Sequence, residues 1–384
     1  MEGLVVLAGV VLIGWAWVAD RAWFEHHFYW RYCAVSPREL TAAGVVRWIS
    51  GAAGVGLIVG TRPRLGRWAT RRAPREMLGQ VARVGGAVLL SLLVTEGILR
   101  ATNLPRPHHP ILALPEARSD PWFGWVHQPS RTQTLSYGAK QVTYVIDADG
   151  DRILSADRPV DPSQPTVVFG GESITLGLGL DYGETYPALV ERRLGIRSVN
   201  VSVTGYGNDQ VYLRTRDELA RLARPLAVVT LVTPVQLVRN VDPFKPHHYP
   251  RDDGSFEDVS PQPEWWTQSH VRRFFDGLVG VHSEDALGVA RAALRATARD
   301  ARARGAFPLF VMTNWGPACL PDATGAPPLE RALFDGLDVD HVRVDLPRDW
   351  WEEGIDHPSP RAHVALADAI VEALRGHGVA SALN

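Results

Sequence analysis

The pattern of apolar and polar positions changes near Gln164, after which short apolar runs alternate with longer amphipathic segments. Short β-branched runs bounded by turn residues predict strands, and apolar residues at helical spacing predict helices. The predicted strands are Thr166–Phe169, Ser198–Val203, Ala227–Val232, Phe307–Met312 and His341–Val344. The predicted helices are Glu184–Leu194, Asp209–Leu222, Glu284–Arg304, Leu329–Phe334 and Pro360–Leu374. This alternation predicts an α/β fold with a parallel sheet covered on both faces, whose functional residues lie at the carboxyl ends of the strands.

The first 102 residues have a different pattern, with three long apolar segments. Residues 3–18 contain no charge, whereas residues 41–60 and 80–99 are each interrupted by charged side chains, among them Arg47 and Glu96. About 20 apolar residues cross the roughly 30 Å hydrocarbon core of a bilayer, so the segments predict about three transmembrane helices. A cleaved signal peptide is the alternative for the first segment, and a soluble helical hairpin for the other two.

The loop between the second and third segments predicts their orientation. It carries six arginines between residues 62 and 75 and no acid. Because short cytoplasmic loops carry the excess of basic residues, this loop and the N-terminus are predicted to be cytoplasmic, and everything after Arg100 to be exported. The expected location is therefore the cell membrane, with a multi-pass anchor over residues 1–102 and an extracytoplasmic C-terminal part.

The remaining segments suggest how the exported part is organised. Residues 103–165 predict a linker followed by a small β-hairpin near the turn "DADGD", and residues 166–384 predict the main domain. Residues 244–283 are Pro-rich and aromatic, which predicts a lid over the site or a surface decoration. His247 and His248 in that stretch are interpreted as part of a solvated loop, with metal ligation as the alternative.

Composition narrows the possible functions. The 384 residues carry a formal net charge of -2, which argues against the basic surface that nucleic-acid binding needs. The two cysteines, Cys33 and Cys319, are far apart and form no CxxC or Cys/His pattern. Neither a disulfide framework nor structural zinc is therefore expected. No other metal ion and no organic cofactor is expected.

One short stretch carries the strongest chemical signal. Residues 166–179 read "TVVFGGESITLGLG", in which a predicted strand ends at two glycines that allow a sharp turn before Ser173. A serine between a strand and a helix exposes its hydroxyl as a nucleophile. A phosphate-binding loop and a plain helix cap are the alternatives. The phosphate-binding loop does not fit, because no Gly-Lys-Ser or Gly-Lys-Thr follows and the glycines do not match GxGxxG. The nucleophile needs a base, and His357 in "IDHPSPRAH" lies on the loop that enters the last predicted helix.

These motifs resemble those of the SGNH or GDSL-type hydrolases, and the resemblance extends through much of residues 122–379. "FGGESITLGLGL" is similar to the first block of the family, with Ser173 as nucleophile, and "DHPSPRAHVALADAI" to the last, with His357 as base. "GWVHQPS" and "GDR" resemble features common before the nucleophile strand. The resemblance implies a flavodoxin-like three-layer sandwich with a parallel sheet, the SGNH hydrolase fold. It also implies an oxyanion hole formed by the backbone N–H groups of Ser173 and Gly205.

The chain departs from the family pattern at three places. Glu172 stands where the family has Asp, and the third-block Asn is missing, which leaves Gln236 or Asn240 as the candidate replacement. The orienting acid is Asp356 or Glu353, because the positions two and three residues before the histidine are Ile and Gly. A Ser-His dyad is the alternative. Losing one oxyanion donor lowers turnover about 10²- to 10³-fold, so weakened activity is expected unless another donor replaces the Asn.

The resemblance and the predicted export together imply a membrane-anchored serine esterase that acts outside the cytoplasm through an acyl-enzyme. Its substrate is expected to be an ester, such as an O-acetyl ester, of an envelope carbohydrate or lipid. One alternative is O-acyl transfer to an envelope polysaccharide, with a separate membrane acyltransferase as partner. The other is a degenerate SGNH domain that binds without catalysis.

Overall fold

The computed structural model of the chain describes residues 2–20, 37–61, 86, 89–90, 92–97, 116–242, 245–261, 283–314, 329–352, 354–355 and 357–379. The chain forms two compact units, one with the N-terminal helices and one with an α/β domain. The two cysteines and most of the predicted linker after Arg100 lie outside the described residues.

The N-terminal unit contains two helices that pack through small residues. They are α1 (Glu2–Val18) and α2 (Pro37–Gly56), and a short π-helical segment, Leu57–Thr61, continues α2. A Cβ built on Gly9 of α1 would lie 2.8 Å from the carbonyl oxygen of Gly54 of α2, so only glycine permits this close approach. Large apolar side chains of both helices, including Trp17 and Trp48, are exposed instead.

The two helices overlap the first two apolar segments of the sequence. Of the third segment, residues 86, 89–90 and 92–97 are helical, and the others lie outside the described residues. Within the part of the chain that the structure describes, no helix is both long and apolar enough to cross a bilayer. The three predicted transmembrane helices are therefore not supported by these residues.

An eight-stranded sheet forms the centre of the α/β domain. The strands of the domain, including three two-stranded ribbons, are β1 (Ala117–Asp120), β2 (Gly124–His127), β3 (Arg131–Tyr137), β4 (Lys140–Ile146), β5 (Arg152–Ile153), β6 (Pro165–Gly170), β7 (Arg197–Asn200), β8 (Arg224–Val232), β9 (His247–Pro250), β10 (Phe256–Val259), β11 (Phe307–Thr313), β12 (Asp340–Val344), β13 (Trp351–Glu352) and β14 (His357–Pro358). The large sheet has the order β12-β11-β8-β6-β7-β5-β4-β3.

The five strands from β12 to β7 are parallel, and β5, β4 and β3 extend the sheet in antiparallel fashion. Numbered along the chain, the parallel strands have the order 2-1-3-4-5, which is the flavodoxin-like order. The chain passes from β6 to β7 on one side, and the later strands β8, β11 and β12 lie on the other side of β6. A crevice is expected at the carboxyl end of β6, where the strand order reverses. The predicted α/β fold with a parallel sheet is confirmed.

Helices cover both faces of the sheet because alternate residues of the buried strands point to opposite sides. The helices are α3 (Ser173–Leu176), α4 (Tyr186–Leu194), α5 (Asn208–Arg221), α6 (Pro234–Arg239), α7 (Ser283–Ala303), α8 (Leu329–Phe334) and α9 (Pro360–Gly376). Val167 and Phe169 of β6 share a core with α4 and α9. Val168, between them, shares the opposite core with residues of α5 and α7. The five predicted helices are confirmed, with ends that differ by no more than two residues.

The hairpin predicted before the nucleophile strand is also present. The "DADGD" turn joins β4 to β5, and Ile146 pairs with Arg152 across it. Because β5 also pairs with β7 through Arg152 and Asn200, the hairpin belongs to the same sheet as the strands after Pro165. The hairpin thereby holds Arg152 beside the carboxyl ends of the parallel strands.

Candidate active site

The nucleophile turn depends on two glycines for close packing. Strand β6 ends at Gly170, and α3 begins at Ser173. Neither Gly170 nor Gly171 has a positive φ, so the turn from β6 into α3 does not require a left-handed backbone at either glycine. A Cβ on Gly171 would lie 1.8 Å from the hydroxyl oxygen of Thr175, and one on Gly170 would lie 2.6 Å from that of Thr215. The glycines therefore let the turn approach its neighbours, which fixes where Ser173 stands.

The structure brings Ser173 and His357 together. His357 begins β14, which pairs with β13 in a short hairpin just before α9. The Nε2 atom of His357 lies 2.7 Å from the Oγ atom of Ser173. The two side chains belong to residues 184 positions apart in sequence and are 2% and 9% exposed, so this contact comes from the fold. A neutral imidazole at this distance can accept the hydroxyl proton.

A backbone carbonyl orients the imidazole. The Nδ1 atom of His357 lies 2.7 Å from the carbonyl oxygen of Ile355. A carbonyl oxygen only accepts hydrogen bonds, so Nδ1 carries a proton and donates. In the neutral ring Nε2 is then left as the acceptor that faces Ser173. Asp356 and Glu353, the two candidate acids, lie outside the described residues, so the role of either stays a prediction.

Glu172 contacts the nucleophile directly. Its fully buried carboxylate accepts hydrogen bonds from the backbone N–H of Ser173 at 2.6 Å and of Ile174 at 3.2 Å. The hydroxyl of Ser173 also donates to the Oε2 atom of Glu172. A hydroxyl has one hydrogen, so Ser173 donates either to Glu172 or to His357 at any moment. The backbone N–H of Ser173, expected in the oxyanion hole, is occupied by this carboxylate in the resting site.

The turn that contains Gly205 is braced by the "GWVH" strand. Gly205 has a φ of 84°, in the left-handed region that favours glycine. The indole N–H of Trp125 donates to the carbonyl of Thr204 at 3.0 Å, and the hydroxyl of Tyr206 donates to the carbonyl of Trp125 at 2.5 Å. Within the described residues, the backbone N–H of Gly205 donates no hydrogen bond.

The two candidate replacements for the third-block Asn serve structural contacts. The Oδ1 atom of Asn240 accepts from the backbone N–H of Asn208 at 2.6 Å, and Nδ2 donates to Asn208 Oδ1 at 3.1 Å and to the Ala286 carbonyl at 3.0 Å. The Oε1 atom of Gln236 accepts from the backbone N–H of Thr233 at 2.8 Å, which caps α6. The Nε2 atom of Gln236 is buried and has no hydrogen-bond partner among the described residues.

Arg239 is a site residue that the sequence analysis missed. It ends α6, and its Nη1 atom lies 3.3 Å from Oε2 of Glu172 and 3.4 Å from the carbonyl oxygen of Tyr206. The guanidinium therefore reaches both the nucleophile turn and the Gly205 turn. The family motif predicts an amide side chain in this region, and it contains no signal for an arginine.

Arg152, in the "GDR" motif, holds the chain that follows the nucleophile. Its guanidinium is fully buried and donates to the carbonyls of Leu176, of Gly177 at 2.9 Å and of Leu180 at 2.6 Å. The guanidinium also lies over the ring of Tyr144, 4.2 Å from its centroid. These contacts fix the loop after α3, and the motif was the sequence signal that could have assigned this role.

His247 and His248 do not belong to a solvated loop, so that interpretation is wrong. Both side chains are buried. The Nδ1 atom of His247 lies 2.6 Å from the buried carboxylate of Asp209, which also pairs with Lys245 at 3.2 Å. His248 pairs with Asp258 across the β9–β10 hairpin at 2.6 Å. Over the described ranges no group of three or more His, Cys, Asp or Glu side chains could hold a metal ion.

Two further buried histidines are neutral. Burial, with a contribution from Arg152, lowers the pKa of His363 to about 3, and its Nδ1 atom accepts from the backbone N–H of Tyr186 at 3.0 Å. Burial, with a contribution from Arg214, lowers the pKa of His127 to about 3. Both rings therefore act as packing and hydrogen-bonding groups at neutral pH.

Solved structures similar to this chain include lipolytic proteins and carbohydrate esterases. A lipolytic protein of the G-D-S-L family from Desulfitobacterium hafniense is similar over 54% of this chain and 98% of its own, with 12% identity and a TM-score of 0.36. An acetyl xylan esterase from Butyrivibrio proteoclasticus is similar over 57% and 66%, with 13% identity and a TM-score of 0.35. A family two carbohydrate esterase from Cellvibrio japonicus is similar over 61% and 66%, with 14% identity and a TM-score of 0.33. No protein-family model matches the chain, and no curated protein matches it.

Proposed function

We propose that this protein is a serine esterase of the SGNH type. The observation that carries the proposal is the 2.7 Å distance between Oγ of Ser173 and Nε2 of His357, with Nδ1 held by a carbonyl. A hydroxyl paired with an oriented imidazole is the arrangement that activates a serine nucleophile. Their position beyond the carboxyl end of β6, in a sheet of the 2-1-3-4-5 order, is where ligands bind in such folds.

The proposed reaction has two steps. Oγ of Ser173 attacks the ester carbonyl while its proton moves to Nε2 of His357, and the carbonyl electron pair moves onto the oxygen. His357 then passes the proton to the alcohol oxygen as the ester C–O bond breaks. The alcohol departs, and the acyl group remains bonded to Ser173 as the acyl-enzyme. Water attacks this ester with His357 again as the base, and the free acid is released. The backbone N–H of Gly205 is a donor for the oxyanion, and that of Ser173 becomes a second one when Glu172 releases it.

We propose a small acyl group, such as acetyl, because the nucleophile is only 2% exposed. The proposed substrate is an O-acyl ester of an envelope carbohydrate or lipid, in line with the predicted export of residues after Arg100. Transfer to a glycan acceptor would use the same acyl-enzyme, with a sugar hydroxyl in place of water. Release of free acid without any acceptor distinguishes hydrolysis from transfer.

We also propose that the N-terminal unit attaches the protein to a membrane. The support is the arrangement of α1 and α2, in which glycines form the contact and large apolar side chains are exposed. Leu7, Val11 and Ile49 are each more than half exposed. In lipid, helices associate through close packing of small residues, because apolar side chains gain nothing by leaving the acyl chains. Retention of the protein in membranes after carbonate washing would support this location.

The experiment for the enzymatic proposal uses the full-length protein in mild detergent. Hydrolysis of p-nitrophenyl acetate should be abolished by Ser173→Ala, and His357→Ala should lower kcat by several orders of magnitude. Ser198→Ala is the matched control, because this buried hydroxyl contacts only Glu191 and Tyr182 among the described residues. Turnover by Ser173→Ala equal to that of the wild type would overturn the proposal.

A further inference from the structure

The guanidinium of Arg239 occupies the space between the two turns that form the proposed oxyanion site. Its Nη1 atom lies 3.3 Å from Oε2 of Glu172, the neighbour of Ser173, and 3.4 Å from the carbonyl of Tyr206, the neighbour of Gly205. The Arg239 side chain is 23% exposed, so it lines the edge of the site and can meet a substrate. This places a guanidinium beside both the turn that follows β6 and the turn that contains Gly205.

Three donors already converge on one anionic oxygen in the resting site. Oε2 of Glu172 accepts from the backbone N–H of Ser173 at 2.6 Å, from the Ser173 hydroxyl, and from Nη1 of Arg239 at 3.3 Å. The oxyanion of a tetrahedral intermediate requires the same kind of setting, with fixed donors around a negatively charged oxygen. The Ser173 hydroxyl loses its proton in the reaction, but the backbone N–H of Ser173 and the guanidinium of Arg239 keep theirs and can donate to such an oxygen once Glu172 releases them.

Neither amide side chain of this region has a hydrogen bond to Glu172 or Ser173 among the described residues. Both amide atoms of Asn240 bind Asn208, and Oε1 of Gln236 caps α6, whereas the buried Nε2 atom of Gln236 has no hydrogen-bond partner among the described residues. Arg239 lies on the same helix and extends toward the nucleophile instead. A guanidinium offers five N–H donors in a rigid plane, and a hydrogen bond from a charged donor is about twice as strong as a neutral one.

We propose that Arg239 is a catalytic residue whose guanidinium donates to the oxyanion, in the role that the resembled family gives to an Asn amide. The proposal rests on the proposed esterase function. When Ser173 attacks, the carbonyl electron pair moves onto the substrate oxygen while the serine proton goes to Nε2 of His357. The new oxyanion then takes the place of Glu172 Oε2 as acceptor for Arg239 and for the backbone N–H of Ser173.

The test compares Arg239→Met and Arg239→Lys with Arg193→Met in the full-length protein. Arg193 is a matched control because its side chain is 30% exposed and pairs with Asp368 at 2.7 Å, away from Ser173. With p-nitrophenyl acetate, we expect Arg239→Met to lower kcat about 10²-fold or more with KM little changed, since one oxyanion donor is lost. Arg239→Lys should keep part of the activity, and Arg193→Met should match the wild type. Binding of a boronic acid transition-state analogue should weaken with Arg239→Met by a factor similar to the loss in kcat.

Two further variants distinguish catalysis from simple neutralisation of Glu172. If Arg239 only balances that carboxylate, the double variant Glu172→Gln/Arg239→Met should regain the kcat of Glu172→Gln alone, and this result would overturn the proposal. The proposal instead predicts that the double variant stays about 10²-fold below Glu172→Gln, and that added guanidinium ions partly restore turnover of an Arg239→Gly variant. A wild-type kcat in Arg239→Met would also overturn it, provided that Ser173→Ala is inactive. Activity that survives Ser173→Ala would instead overturn the proposed function itself.

Discussion

Replacing Asn240 by alanine separates a structural role of this amide from a catalytic one. The buried side chain binds the backbone N–H of Asn208 at 2.6 Å, Asn208 Oδ1 at 3.1 Å and the Ala286 carbonyl at 3.0 Å. The Ala286 carbonyl lies within α7 and keeps a partner along the helix. Two buried groups of Asn208 are then left unsatisfied, at about 1 to 3 kcal/mol each, so we expect the free energy of unfolding to fall by about 3 kcal/mol.

The assay combines stability and turnover on the same protein. Urea unfolding of full-length protein, followed by tryptophan fluorescence, reports the stability loss, and kcat with p-nitrophenyl acetate is measured where both proteins are folded. We expect kcat to stay within about threefold of the wild type, because both atoms of the amide are engaged by Asn208 and the Ala286 carbonyl and we assign the oxyanion to other donors. Gln141→Ala is the control, since this exposed amide donates to the Ser136 hydroxyl at 2.8 Å and should change stability by less than about 0.5 kcal/mol. A 10²-fold loss of kcat with unchanged stability would refute this reasoning.

Three other changes test separate parts of the structure. His127 and His363 have a folded pKa of about 3, below the unfolded value of 6.5, so the unfolded chain binds protons first as pH falls. The free energy of unfolding should therefore fall as the pH drops below 6.5, by roughly 4 kcal/mol between pH 7 and pH 5 for the two histidines together. Urea unfolding at several pH values should show about half this dependence on pH in the His363→Gln variant. Lys245→Met leaves the buried carboxylate of Asp209 with one cationic partner fewer and should lower the free energy of unfolding by about 3 to 5 kcal/mol, whereas an unchanged urea midpoint would contradict the buried pair. Gly171→Ala would place a Cβ 1.8 Å from a threonine hydroxyl, so it should destabilise the protein by about 1 to 3 kcal/mol, as measured by urea unfolding, and lower kcat; wild-type values for both would contradict the packing of this turn.

The sequence predicts the sheet and its covering helices well because their signals are local. Buried parallel strands such as β8 are continuous apolar runs, and a helix such as α9 shows an apolar face after the Pro360 start signal. The placement of Ser173 and His357 at one end of the sheet follows from the same argument, since carboxyl ends of parallel strands meet at one edge.

The remaining features depend on contacts between distant residues, which no local pattern reveals. His247 looks like a solvated loop residue until Asp209, 38 positions earlier, is placed beside it. Arg239 lies 67 positions from Glu172, and the motif comparison favoured amides at its helix. The two glycines before Ser173 are predicted to allow the turn, but the sequence does not reveal that they also give room to the side chains of Thr215 and Thr175.

The central claim is that Ser173 is a nucleophile activated by His357. The most direct measurement is mass spectrometry of the full-length protein after reaction with a fluorophosphonate, followed by peptide mapping. The account predicts one adduct on Ser173 in the wild type and in the Ser198→Ala control, and much slower labelling in His357→Ala. An unlabelled wild-type protein, or a label that persists in Ser173→Ala, would contradict it.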